Sequence, residues 1–211
     1  MSRYDPKVRF YFEGRAIGRD LSEDLTRFPA KMLKGNPVIS RDRLVWDQLA
    51  AHYPPLDDHG LMKLYFDAAV YFDGSGPRSV MFRLPASLEG MVQPYLIGDK
   101  YYGVTAEAAG GDLVVRIARE DSDGENMYSG DTPEQWLEPI LPARDSLLSG
   151  DPAALYLGWR MLAESPVEDP PSPMPPAPPK PPGLDSLSPP LEALDQILRP
   201  WQVHGKGSSR P

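Results

Sequence analysis

The sequence predicts an α+β fold: a mainly antiparallel sheet, C-terminal helices, and a proline-rich linker to a short amphipathic tail helix. Three observations lead there. Period-two alternation and turn clusters recur through the first 120 residues with no regular alternation of strand and helix. Residues 132–164 then carry two segments of helical period, each opened by capping signals. Beyond them Ser165 to Gly183 is dominated by proline, which fixes φ, donates no backbone hydrogen bond and lies extended as polyproline II. The chain is therefore divided into a body over 1–164, a linker over 165–183, a tail helix over 184–201 and a disordered end over 202–211.

Along the chain, Val8, Phe10 and Phe12 alternate with Arg9, Tyr11 and Glu13, the pattern of a half-buried strand. Asp20 and Glu23 can form a capping box for a helix through Leu21, Leu25, Phe28 and Met32, which Pro29 disturbs and Gly35-Asn36-Pro37 closes. Residues 38–53, with Leu44, Val45, Trp46 and Leu49, are read as helix. Leu61, Leu64, Tyr65 and Ala68 repeat at helical spacing before Val70-Tyr71-Phe72 turns to strand, and Asp73 to Pro77 is a turn leading into a strand over Ser79 to Leu84. A short helix follows Pro85. Ala109-Gly110-Gly111-Asp112 joins two alternating runs and is the best hairpin signal, because glycine supplies the positive φ such turns need. Thr132, Pro133 and Gln135 open one C-terminal helix, and Asp151 and Pro152 open the other, whose stripe is Leu155, Tyr156, Trp159 and Leu162.

The function classes can be narrowed from composition. Of 211 residues, 41% are apolar and 25% charged, an ordinary globular balance. A formal net charge of −8, with scattered arginines, opposes affinity for nucleic acid or an anionic membrane. Cysteine is absent, which removes disulfides, thiolate nucleophiles and Cys-ligated zinc. The first residues lack the apolar core of a signal peptide and no run is long enough to span a bilayer, so a cytoplasmic location is expected.

Candidates for chemistry are few. Asp57-Asp58-His59 is where carboxylates and an imidazole adjoin, and with His52 it suggests a metal-dependent hydrolase as the alternative function. Adjacent residues rarely converge on one ion, however, and helical His pairs at i, i+4 are absent. Asp121 to Thr132 departs from a calcium loop at its sixth and twelfth positions. No nucleophile elbow or phosphate loop occurs. Phe10, Phe12, Tyr71, Phe72, Tyr101 and Tyr102 fall on predicted strands and read as core. No catalytic, cofactor-binding or metal-ligating residue is assigned, and no cofactor.

The tail has the clearest pattern. Ser188 caps and Pro189 opens a helix in which Leu184, Leu187, Leu191, Leu194 and Leu198 line one stripe, with Trp201 beyond it as an anchor. About ten residues are marginal as an isolated helix, so the stripe must bury against its own body or a protein partner. These six residues are the predicted contact surface. The PxxP-like Pro175 to Lys180 segment reads as spacer rather than ligand.

The segments Leu61-Met-Lys-Leu-Tyr-Phe-Asp-Ala68, Met81-Phe-Arg-Leu-Pro85, Gly150 to Trp159 and Pro181-Pro-Gly-Leu-Asp-Ser-Leu-Ser188 resemble, in their order, a family of uncharacterised bacterial proteins. The resemblance runs from about residue 60 to 199. It implies that body and tail form one unit, and it brings no activity. Together these readings lead to a non-enzymatic accessory or adaptor protein working through protein–protein contact.

Overall fold

The alternating runs of the N-terminal half form a single eight-stranded antiparallel sheet. A computed structural model of the chain describes residues 8–21, 37–50, 56–74, 76–100, 102–120, 132–164 and 176–199. In order these form β1 (Val8–Arg15), β2 (Val38–Ile39), β3 (Arg43–Ala50), α1 (Asp58–Tyr65), β4 (Ala68–Asp73), β5 (Arg78–Pro85), α2 (Glu89–Val92, flanked by 3-10 turns), β6 (Ile97–Gly98), β7 (Gly103–Ala109), β8 (Asp112–Arg119), α3 (Leu137–Leu148), α4 (Ala153–Glu164) and α5 (Pro189–Leu198). Spatial order is β2-β3-β1-β4-β5-β8-β7-β6, and every neighbouring pair is antiparallel. The fold is α+β, as the sequence predicts.

One segment corrects the sequence reading. Val38–Ile39 and Arg43–Ala50 are strands, not helix: Trp46 pairs with Phe12 and Leu44 with Gly14, so β3 extends the sheet beyond β1 and β2 pairs outside it. Leu44 and Trp46 are buried two residues apart on one face, a period of two that the adjacent Val45 and Leu49 obscure. The helix expected after Asp20 falls mostly on residues 22–36, outside the described residues. Both hairpins form as expected. In the β7–β8 turn, Gly110 carries the positive φ, 68°. Thr132 makes no side-chain cap, so the expected capping box with Gln135 is absent; a 3-10 turn leads instead into α3, where Pro139 sits in the first turn and Pro142 on the exposed face. Asp151 does cap α4, accepting from Ala153 N at 3.0 Å.

Two cores lie on the two faces of the sheet. On one, Val80, Phe82, Val115 and Ile117 pack under α3, α4 and α5. Gly158 lets α4 approach closely: a Cβ there would stand 2.5 Å from Ile117 Cγ2 and 2.8 Å from Val104 Cγ2. On the other face Phe10, Phe12, Trp46, Met81 and Val114 pack against Leu61, Met62 and Phe66. The Phe66 ring occupies the space above Gly14, where a Cβ would lie 2.5 Å from it. β1 is buried on both sides rather than one, because Tyr11 and Glu13 also lie beneath the first face, with the Tyr11 hydroxyl donating to Glu13 at 2.6 Å and Arg43 pairing with Glu13 at 2.7 Å.

The tail belongs to the first core. Leu191, Leu194, Ile197 and Leu198 are buried there, and α5 packs on α3, α4 and β5. Its C-terminal carbonyls are held from below: the buried Arg78 guanidinium donates to the carbonyls of Ile197 and Arg199, setting a cation where the helix dipole favours one. The approach to α5 is fixed too. Pro178, Pro181 and Leu184 are buried at three-residue steps, the period of one face of a polyproline II turn, and the Tyr95 hydroxyl donates to the Pro179 carbonyl at 3.1 Å. This part of the linker is pressed on the body and is not a free spacer. We expect Leu194→Ala, at a fully buried site, to lower the stability of the full chain by about 2–5 kcal/mol in urea denaturation. An unchanged midpoint would detach α5 from the folding unit.

Candidate functional site

Among the described residues, the second face of the sheet is covered less completely than the first. α1 crosses only part of it, and between α1 and strands β5, β8 and β7 lies a pocket of about 680 Å³. The pocket floor follows from register. Tyr71, Ser79 and Ala118 are directly opposite one another across β4, β5 and β8, and Met81, Arg116 and Thr105 form the next row across β5, β8 and β7. Ser79 and Arg116 therefore stand as diagonal neighbours on one face. The roof is the first turn of α1, which brings in Asp57, Asp58 and His59.

Each acidic side chain of the roof has a defined task. Asp57 is the N-cap of α1: its Oδ1 accepts from Gly60 N at 2.8 Å, and glycine is required because a Cβ at residue 60 would lie 2.2 Å from Asp57 Oδ2. Asp58 accepts from Arg116 Nη2 at 2.5 Å, while Arg116 Nη1 donates to the Lys100 carbonyl at 3.3 Å. His59 and Lys63, one helical turn apart, both reach across to Glu107 on β7. Lys63 Nζ donates to Glu107 Oε2 at 2.5 Å; His59 Nε2 comes within 3.3 Å of the same oxygen without hydrogen-bond geometry. Thus Asp57, Asp58 and His59 line one pocket but point to three different partners, and among the described residues no group of three acids and histidines is placed to hold a metal.

Three polar atoms of the pocket are left over. Ser79 Oγ, Arg116 Nε and His59 Nε2 are buried and hydrogen-bond to no protein group. Ser79 is 1% exposed and the Arg116 side chain 8%, so neither faces bulk solvent. Buried polar groups are nearly always paired, and leaving one unpaired costs about 1–3 kcal/mol. These atoms have almost no accessible surface, so they lie beside the cavity without facing into it. Burial holds His59 below the ordinary histidine range, against the pull of Glu107, so the ring is neutral at pH 7. The Lys63 hydrogen bond holds Glu107 below the usual carboxylate range.

Of the other residues singled out by sequence, Leu184, Leu191, Leu194 and Leu198 are buried in the chain's own core and Leu187 packs against it; Trp201 lies outside the described residues. So do His52, Tyr101 and nearly all of the calcium-like segment after Asp121. Ser79, Arg116, Lys63 and Glu107 were not singled out. A signal for Arg116 exists in the sequence, since Val114-Val115-Arg116-Ile117-Ala118 sets one arginine inside an apolar strand, where an unpaired charge is costly. No helix among the described residues is long and apolar enough to cross a membrane. Compared with protein families, curated proteins and solved structures, the chain matches none.

The depressed histidine gives a pH dependence. Because the native state resists protonating His59 and the unfolded chain does not, its stabilising contribution is complete above the unfolded value near 6.5 and is lost as pH falls through the lower folded value. Melting temperatures of wild type and His59→Gln, compared between pH 7.5 and 5, should fall more steeply for wild type. Parallel curves would mean that the imidazole is not desolvated in solution.

Proposed function

We propose that the protein is a non-enzymatic accessory protein whose recognition site is the pocket beneath α1, occupied by a small molecule. The observation that carries this reading is a cavity of about 680 Å³ between the first turn of α1 and the sheet, lined by Asp57, Asp58, His59, Lys63, Glu107 and Arg116. That volume falls within the ordinary range of small-molecule sites, about 300–1,000 Å³. The acidic groups favour binding over hydrolysis. To hold a metal, Asp58 would have to give up Arg116 and Asp57 would have to uncap α1, leaving a buried guanidinium and a helix end without partners.

The tail fits this reading as architecture. Its apolar stripe is spent on the chain's own body, so a protein partner would meet the body's surface rather than α5. The lack of cysteine suits a reducing compartment, and the net charge of −8 disfavours a nucleic-acid ligand; we therefore place the protein in the cytoplasm.

Native mass spectrometry of the full chain after incubation with a small-molecule cell extract tests the reading, with Ala118→Trp as the comparison. Ala118 lies on the pocket floor, and an indole there fills the cavity. Adducts should form with wild type and vanish from a variant that circular dichroism shows to be folded. Equal adducts on both proteins, or none on either, would sink the proposal.

A further inference from the structure

At the other end of α1, away from the pocket, positive charge is left in excess. Asp67, buried where the chain passes from α1 into β4, is ringed by arginines from three elements: Arg19 from the segment after β1, Arg83 from β5 and Arg144 from α3. Arg19 Nη2 stands 3.3 Å from Asp67 Oδ2, while Arg144 Nη2 and Arg83 Nε stand 3.9 and 4.0 Å from Oδ1. None of these contacts is a hydrogen bond; the one that Asp67 accepts among the described residues comes from Ile17 N at 2.8 Å. Among the described residues the one other acid within ion-pair reach is Asp112, whose Oδ2 lies 3.6 Å from Arg83 Nη1. Three cations thus face two carboxylates, an excess of one positive charge on a chain of net charge −8.

Holding the fold together uses only part of what these guanidinium groups offer. Arg19 donates to the Tyr65 carbonyl at 2.7 Å, Arg83 to the carbonyls of Phe66 and Met62, and Arg144 Nε to the Arg83 carbonyl at 3.1 Å. A guanidinium has five N–H donors in a planar fork. Arg144 Nη1 and Nη2 and Arg83 Nη1 hydrogen-bond to no protein group, and none of the three is sealed in the interior, so each can be reached from outside. The two side chains are nonetheless only 14% exposed, which weakens hydration and strengthens any charge-assisted bond made there. A carboxylate ligand is satisfied by one fork, whereas donors arriving from α3, β5 and the segment after β1 suit an anion with oxygens in several directions. We infer that this end of the sheet binds a phosphate group, gripped by Arg144 Nη1 and Nη2 and Arg83 Nη1, with the exposed Arg19 at its side. Asp67 holds the three cations together, and Asp112 moderates their pull. This site and the pocket under the first turn of α1 share no residue, and neither reading rests on the other.

The probes are orthophosphate and phenyl phosphate, titrated with the full chain at pH 7.5 and fixed ionic strength and followed by the ³¹P line width. Saturable broadening is expected with wild type. Arg144→Gln should weaken it about tenfold or more, the worth of a charge-assisted hydrogen bond. Asp112→Asn removes a partly exposed carboxylate beside Arg83 and should tighten binding, a gain that a misfolded variant could not give. Binding of orthophosphate alone assigns the site to the free anion, and binding of phenyl phosphate as well assigns it to the phosphate group of a larger molecule. No saturable broadening with either probe overturns the inference. So does binding that Asp112→Asn leaves unchanged, or that survives intact in an Arg144→Gln chain shown by circular dichroism to be folded. Acetate displacing orthophosphate at equal concentration overturns the choice of phosphate over carboxylate.

Discussion

The structure depends on a sheet whose middle strands are apolar on both sides. In β4 every residue from Ala68 to Asp73 is buried, and β5 and β8 are buried along nearly their whole length. An antiparallel sheet usually keeps one wet face. Here both faces must be covered, and among the described residues the N-terminal half of the chain, which makes most of the strands, offers little helix with which to do it. The C-terminal third supplies the cover for one face as α3, α4 and α5. The proline segment is what lets α5 reach its place: residues 176–183 run along the body with Pro178 and Pro181 inward and deliver Leu184 and α5 to the core. A flexible linker would allow the same contact, but at the entropic cost of ordering it. Proline has already given up that freedom in the unfolded chain.

The second face has only α1 to cover it among the described residues, and one short helix cannot roof eight strands. Its apolar residues Leu61 and Met62, with Phe66 just beyond, close the side nearest β1 and β3. Towards β5, β8 and β7 the cover is made by the polar first turn of the helix, and the gap there is the pocket. Placing charge at this edge works only because each group is answered across the gap, Asp58 by Arg116 and Lys63 by Glu107. These pairs fix the height and orientation of α1 over the sheet, and so give the cavity its shape.

Much of this was legible in the sequence where the signal is local. The hairpin Gly110, the Asp151 cap and the Leu191, Leu194 and Leu198 stripe of α5 depend on a few neighbouring residues and appear as expected, whereas the tail helix begins only at Pro189, so Leu184 and Leu187 precede it and Ser188 makes no side-chain cap. β3 was not legible, because its strand pattern is masked by Val45 and Leu49, and the decisive fact, an open edge on β1 waiting for Leu44 and Trp46, is tertiary. The pocket was half legible. Asp57, Asp58 and His59 stand out as adjacent polar groups, yet their meaning comes from Arg116 and Glu107, which are 58 and 48 residues further along from Asp58 and His59. Pairing at that range leaves no periodicity to read. What the sequence did hold was the cost of one arginine inside Val114 to Ala118, which implies a partner somewhere without naming it.

The same pairing explains why an acidic, histidine-containing cluster need not be a metal centre. A site built for a cation keeps its carboxylates uncommitted, or turned inward and held ready by hydrogen bonds from neighbouring groups. Asp57 and Asp58 are instead consumed at the helix N-terminus, where one satisfies a backbone amide and the other neutralises a guanidinium embedded in the sheet. Freeing either uncovers a group that is costly to leave bare. A first turn whose carboxylates are spent in this way serves to hold α1 over the sheet rather than to bind an ion.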